Sequence, residues 1–171
     1  MLKISFSFLC LFTALLTSNV SAQPPGVRYY KSLEKIIVFE SHRMDIESVF
    51  KYSVHKESAE SDGSKTVYYE LKGAKLSVYY STGRCSEHKS KLGFDVNRDV
   101  IIGMTLDFYD DVNVSKFNFD LRKFRKYIET ENNAVHYNSE ELGIELTGGP
   151  RSVSSITLSG SESQRDKYRC K

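Results

Sequence analysis

The sequence predicts an α+β fold: two layers, with a mainly antiparallel sheet and two short helices on one face. Three observations carry this expectation. Several short runs alternate apolar and polar residues and are joined by glycine-bearing turns, as half-buried strands paired with their neighbours would be. Two other stretches, near residues 42–51 and 120–128, space their apolar side chains three and four apart. Beyond residue 22 no apolar stretch approaches the roughly 20 residues that span a bilayer.

The elements follow in order. Residues 1–22 read as a cleaved export signal: Lys3 supplies the charge, Ile4 to Leu16 the apolar region, and Val20-Ser21-Ala22 a small-residue end. Residues 23–171 then form one domain. Residues 23–32 are expected to be an extended lead-in, because Pro24 and Pro25 forbid a helix interior. Ser41 reads as an N-cap. It is followed by a short amphipathic helix over 42–51, with Ile46, Val49 and Phe50 at helical spacing. Residues 55–65 are polar and expected to be loop.

Next comes a hairpin. Val67, Tyr69 and Leu71 alternate with Thr66, Tyr68 and Glu70, Lys72-Gly73 turns the chain, and Leu76, Val78 and Tyr80 alternate with Ser77 and Tyr79. A loop over 82–98 carries Cys85. In the strand after it, Val100, Ile102, Met104, Leu106 and Phe108 share one face, and Ile101, Gly103, Thr105, Asp107 and Tyr109 the other. Asp120 then caps a second helix with Leu121, Phe124 and Ile128 on one stripe. Three strands follow, near 134–137, 142–146 and 153–158. The order helix–strand–strand–strand thus occurs twice, which suggests a tandem repeat of residues 33–111 and 112–171.

Composition narrows the function. With 24 Lys+Arg against 22 Asp+Glu and a net charge of +2, the chain is no polycationic nucleic-acid binder. Its 12% aromatic and 40% hydrophobic content excludes a disordered tail. Cleavage of the signal removes Cys10 and leaves Cys85 and Cys170. Export puts that pair in an oxidising compartment, so one disulfide is expected. Cys85 and His88 lie three apart, yet a zinc site needs three or four ligands, so no metal or other cofactor is expected.

Three blocks resemble small secreted bacterial proteins of unknown function. Ser41-His42-Arg43-Met44-Asp45-Ile46-Glu47-Ser48-Val49-Phe50 is similar to their S-T-R-x-D-V-E helix. Val78-Tyr79-Tyr80-Ser81-Thr82-Gly83-Arg84-Cys85 is similar to their Y-x-S-G-x-C strand and loop, and Asp166-Lys167-Tyr168-Arg169-Cys170 to their D-K-x-x-R-C terminus. Both cysteines fall in these blocks, so the resemblance also implies a Cys85–Cys170 bridge. More remotely, the element order is similar to the SmpA/OmlA envelope lipoproteins and the β-lactamase inhibitory proteins, which implies binding and assembly rather than catalysis. The chain departs from these in having Lys51 or Tyr52 where a glycine follows the first helix, and no lipid-attachment cysteine after the signal.

Candidate chemistry is sparse. The histidines are His42, His55, His88 and His136, and no Gly-x-Ser-x-Gly elbow accompanies them. The acid pairs Asp110-Asp111 and Glu140-Glu141 suit solvated turns better than a glycosidase cleft. The basic run at 165–171 reads as a solvated tail. Tyrosine stands out, with 11 residues and no tryptophan. If Tyr69 and Tyr80 point inward, Tyr68 and Tyr79 point outward, and with Tyr109 they form a candidate binding surface. The reading is an exported, non-catalytic binding or envelope-accessory protein, periplasmic or secreted. Its expected partner is another envelope or extracellular protein, with no nucleic acid and no membrane span after signal cleavage. The alternative is a small periplasmic hydrolase with a site around His88 or His136.

Overall fold

The computed structural model describes residues 23–50, 54–58, 63–87, 93–131 and 133–171; the predicted signal (1–22) and His88 lie outside them. Among the described residues there are three helices, α1 (Pro25–Leu33), α2 (Arg43–Phe50) and α3 (Glu162–Tyr168). There are eight strands: β1 (Val54–Glu57), β2 (Ser64–Leu71), β3 (Ala74–Ser81), β4 (Ile101–Asn113), β5 (Arg125–Ile128), β6 (Val135–Ser139), β7 (Ile144–Gly148) and β8 (Ser152–Leu158). They form one sheet in the order β1-β2-β3-β4-β8-β7-β6-β5, with every pair antiparallel. The α+β class with an antiparallel sheet therefore holds. No described helix is long and apolar enough to cross a membrane.

Several local expectations give way. The lead-in is helix α1, because Pro24 stands at its N-cap and Pro25 in its first turn, where proline's missing N–H costs nothing. Its buried side, with Val27, Tyr30 and Leu33, joins the core. Helix α2 is where expected, but Ser41 is not its cap. The Ser41 hydroxyl accepts from the Ile37 N–H behind it, and Asp45 reaches back to the His42 N–H instead. Part of the polar loop is β1, an edge strand. Its Glu57 pairs with Lys65 and with Arg43 at 2.6 Å, joining α2, β1 and β2. Lys65 and then Arg43 hold the Glu57 carboxyl below the usual carboxylate range.

The second predicted helix is absent. Residues 114–124 are two single 3-10 turns, Val114–Phe117 and Leu121–Lys123, and 125–128 is strand β5. Asp120 does cap as expected, accepting from the Arg122 N–H, but only one turn follows. The competing force is aromatic packing. Phe117 and Phe119 lie edge-on to Tyr30 of α1 at 5.8 and 5.1 Å, and Phe124 packs on Phe119. Beyond them Tyr127 and Ile128 pair with β6 rather than continuing a helix. The basic tail is also not irregular, since Ser161 and Gln164 form a capping box that starts α3.

One row across the sheet shows how the core forms. Tyr69, Leu76, Leu106, Ile156, Leu146 and Tyr137 lie directly opposite one another on six adjacent strands. Tyr69 and Tyr80 are buried and their hydroxyls meet at 3.3 Å. Burial raises the pKa of both, and burial followed by Glu34 pushes Tyr30 up to about 12. A bulge corrects the predicted facing of β4: Tyr79 pairs with Gly103 but Tyr80 with Ile101, so Ile101 is fully buried and Ile102 is the extra, half-exposed residue.

The Cys85–Cys170 disulfide is present, with Cα atoms 5.7 Å apart across 85 residues. Around it the chain forms a short antiparallel contact: the Asp95 N–H donates to the Tyr168 carbonyl and the Cys170 N–H to the Gly93 carbonyl. Reduction, or Cys85→Ser, is expected to destabilise the protein by about 2–4 kcal/mol, read as a lower melting temperature. Labelling of two thiols in the native, unreduced protein would overturn this. Gly26 supplies a second expectation. A Cβ there would meet the buried Phe108 ring at 2.6 Å. Although alanine favours helices, Gly26→Ala should therefore destabilise by about 1–3 kcal/mol in thermal unfolding.

Candidate functional site

One residue along from the core row, the sheet turns polar. Tyr68, Ser77, Thr105, Thr157, Glu145, Asn138 and Arg125 lie opposite one another from β2 to β5. The neighbouring row on the same face is Glu70, Lys75, Asp107, Ser155, Thr147, His136 and Tyr127. Alternation on each strand forces this division once the other face is buried.

The three predicted surface tyrosines all fall on this polar face. Tyr79 sits opposite Gly103, and Tyr68 lies under the Lys75 ammonium, 5.9 Å from its ring centre. Tyr109 donates to Glu70 Oε2 at 2.5 Å, and Lys75 reaches Asp107 at 3.8 Å. Tyr109 is 60% exposed, whereas Tyr68 and Tyr79 are half-buried by their neighbours. The face is thus a patch of three tyrosine rings, two of them held by charged partners, with that contact area kept at little further entropy cost.

The sequence reading named His136 as an alternative site but missed the side chains that gather around it on the same face. His136 stacks on Tyr127, with ring centres 4.5 Å apart and nearly parallel planes. Glu145 accepts from the Tyr127 hydroxyl at 3.0 Å and also meets His136 Nδ1 at 3.1 Å. Thr147 Oγ1 lies 3.2 Å from that same nitrogen. His136 Nε2 is buried without a hydrogen-bond partner, 3.6 Å from Glu129. Burial, then the hydrogen bond to Glu145, raises the Tyr127 pKa. The signal in the sequence was the alternation of His136 with Tyr137, legible only once β5 and β6 were known to pair.

The remaining candidates stay apart. His42 and His55 are exposed, at the start of α2 and on β1. Asp110 and Asp111 lie on the irregular stretch of β4, where Asp111 accepts from Ser152 Oγ. Glu140 and Glu141 border a depression of about 300 Å³ with Lys123 and Arg125. No group of three or more metal-ligating side chains gathers among the described residues. No protein-family model, curated protein or solved structure matches the chain.

The Glu70 contact has a direct readout. Its hydrogen bond, the largest cause, holds Tyr109 protonated above the ordinary tyrosine pKa. In the wild type, Tyr109 should ionise at a higher pH than a free tyrosine, whose ordinary pKa is about 10. Glu70→Gln should bring its midpoint down, followed by NMR of the ring carbon bearing the hydroxyl. An unchanged midpoint would show that the contact is not formed in solution.

Proposed function

We propose that the chain is an exported, non-catalytic binding or envelope-accessory module that meets another envelope or extracellular protein with the polar face of its sheet. The observation that carries this reading is the placement of Tyr68, Tyr79 and Tyr109 on one face of three adjacent strands, among paired charges. Aromatic rings backed by a rigid sheet are well suited to anchoring an interface. The resemblance to small secreted proteins agrees with it, as does the disulfide, which suits an oxidising compartment.

In this reading the molecule is two-layered. Helices α1 and α2 and the aromatic segment 114–124 form one layer against the apolar face, leaving the polar face for a partner. The two four-stranded meanders, β1–β4 and β5–β8, are then repeats in which that aromatic segment replaces a second helix.

The second reading is a hydrolase centred on His136, and its contacts weigh against it. A nucleophile–histidine–acid relay places nucleophile and acid on opposite ring nitrogens. Here Thr147 and Glu145 share Nδ1, and Tyr127 covers one side of the ring. That arrangement supports a structural stack better than a relay.

The test is capture from an envelope extract, comparing wild type with a Tyr68→Ala/Tyr79→Ala variant that retains its circular dichroism. Loss of two anchoring rings should reduce recovery of a specific partner by at least about tenfold. Recovery of the same partners by both proteins would remove this face as the contact surface.

A further inference from the structure

Beside the disulfide-bonded tail, the polar face sinks into a depression of about 270 Å³. Tyr79, Phe94, Ile102, Gly103 and Arg165 of α3 are among the residues that line it. Each has a separate structural cause. The β4 bulge makes Ile102 the extra residue. Gly103 contributes no side chain. Phe94 is fixed by its bridge to Arg169 and by packing on Phe39 at 4.8 Å.

Arg165 is the informative residue. Its Nη1 donates to Ser159 Oγ and to the Gly160 carbonyl, both at 3.0 Å, which fixes the guanidinium. Its Nε and Nη2 donors make no hydrogen bond among the described residues, and no described carboxylate pairs with it. Half-buried cations normally find an anion, and a guanidinium fork matches a carboxylate. A positioned cation without an anion therefore stands beside an apolar hollow.

We propose that this depression binds a monocarboxylate carried on a single apolar or aromatic group. The group fills the space between Tyr79, Phe94 and Ile102, and the carboxylate takes the free donors of Arg165. The volume suits one side-chain-sized group, at the small end of ligand sites. This deepens the binding-face reading by naming a subsite on it. Two sources share the chemistry, the C-terminal residue of a peptide and a free small acid.

The test needs no macromolecular partner, so it can fail or succeed independently of capture from an extract. The mature protein is titrated with phenylacetate and with acetyl-Gly-Gly-Phe bearing a free carboxylate, each against its neutral amide, while the Ile102 methyl and Tyr79 ring resonances are followed. At least one acid should bind with about millimolar affinity and at least about tenfold more tightly than its amide, the worth of a charge-assisted hydrogen bond. Arg165→Gln should abolish the acid preference and leave amide binding unchanged, which a merely structural role for Arg165 would not do. Gly103→Val should remove both, since a Cβ there meets Tyr79 and the Leu158 carbonyl at an ordinary 3.5 Å and its methyls would fill the hollow. Tighter binding of the peptide acid identifies a chain terminus as the source, and tighter binding of phenylacetate a free acid. Equal binding of acids and amides, or no shift up to about 10 mM, overturns the proposal.

Discussion

The structure depends on the antiparallel seam between β4 and β8. Each half of the sheet is a meander whose neighbouring strands are also neighbours in sequence, so local turns suffice to build it. Only β4, 13 residues long, and β8 have partners in both halves: β4 pairs with β3 and β8, and β8 with β4 and β7. That seam aligns the core row from Tyr69 to Tyr137 and, one residue along, the polar rows from Tyr68 to Arg125. A one-residue slip there would turn the apolar set of one half outward. Burial of Leu106 and Ile156 on the seam opposes such a slip.

The disulfide reinforces the same seam from outside the sheet. Cys85 follows β3 and Cys170 follows β8, so the bond joins the two halves at one end. Its neighbours assemble a small aromatic cluster, with Phe39 against Phe94 at 4.8 Å and against Tyr168 at 5.1 Å. Gly160 makes that approach possible. Its φ of +70° suits glycine, and a Cβ would meet the Phe39 ring at 2.8 Å. The clamp thus contributes stability and also places Phe94 and Arg165 at the edge of the polar face. A covalent link and the proposed binding surface share one set of residues.

Legibility from sequence followed the range of the interactions. The hairpin over 64–81 was readable because alternation and Lys72-Gly73 are local signals. The outward placement of Tyr68, Tyr79 and Tyr109 followed from alternation alone. The helix expected at 120–128 failed because Leu121, Phe124 and Ile128 also fit a helical stripe, while the competing contact with Tyr30 is distant in sequence and the connection to β6, residues 129–134, carries no glycine to signal a hairpin. Helices α1 and α3 were missed for another reason. Their signals, a proline in the first turn and Ser161 with Gln164, were local but were outweighed by a reading of proline as a breaker and of a charged tail as solvated.

The sequence by itself determined the class of fold, the strand faces wherever alternation was clean, and the cysteine pair, because these rest on local periodicity and on counting. Only the tertiary structure decided that β4 pairs with β8, that a bulge buries Ile101 and frees Ile102, and that His136 stacks on Tyr127. It alone brought Phe94 and Arg165 together beside Tyr79. Most of these outcomes arise from competition among distant segments for one buried surface, and no window of neighbouring residues contains that competition.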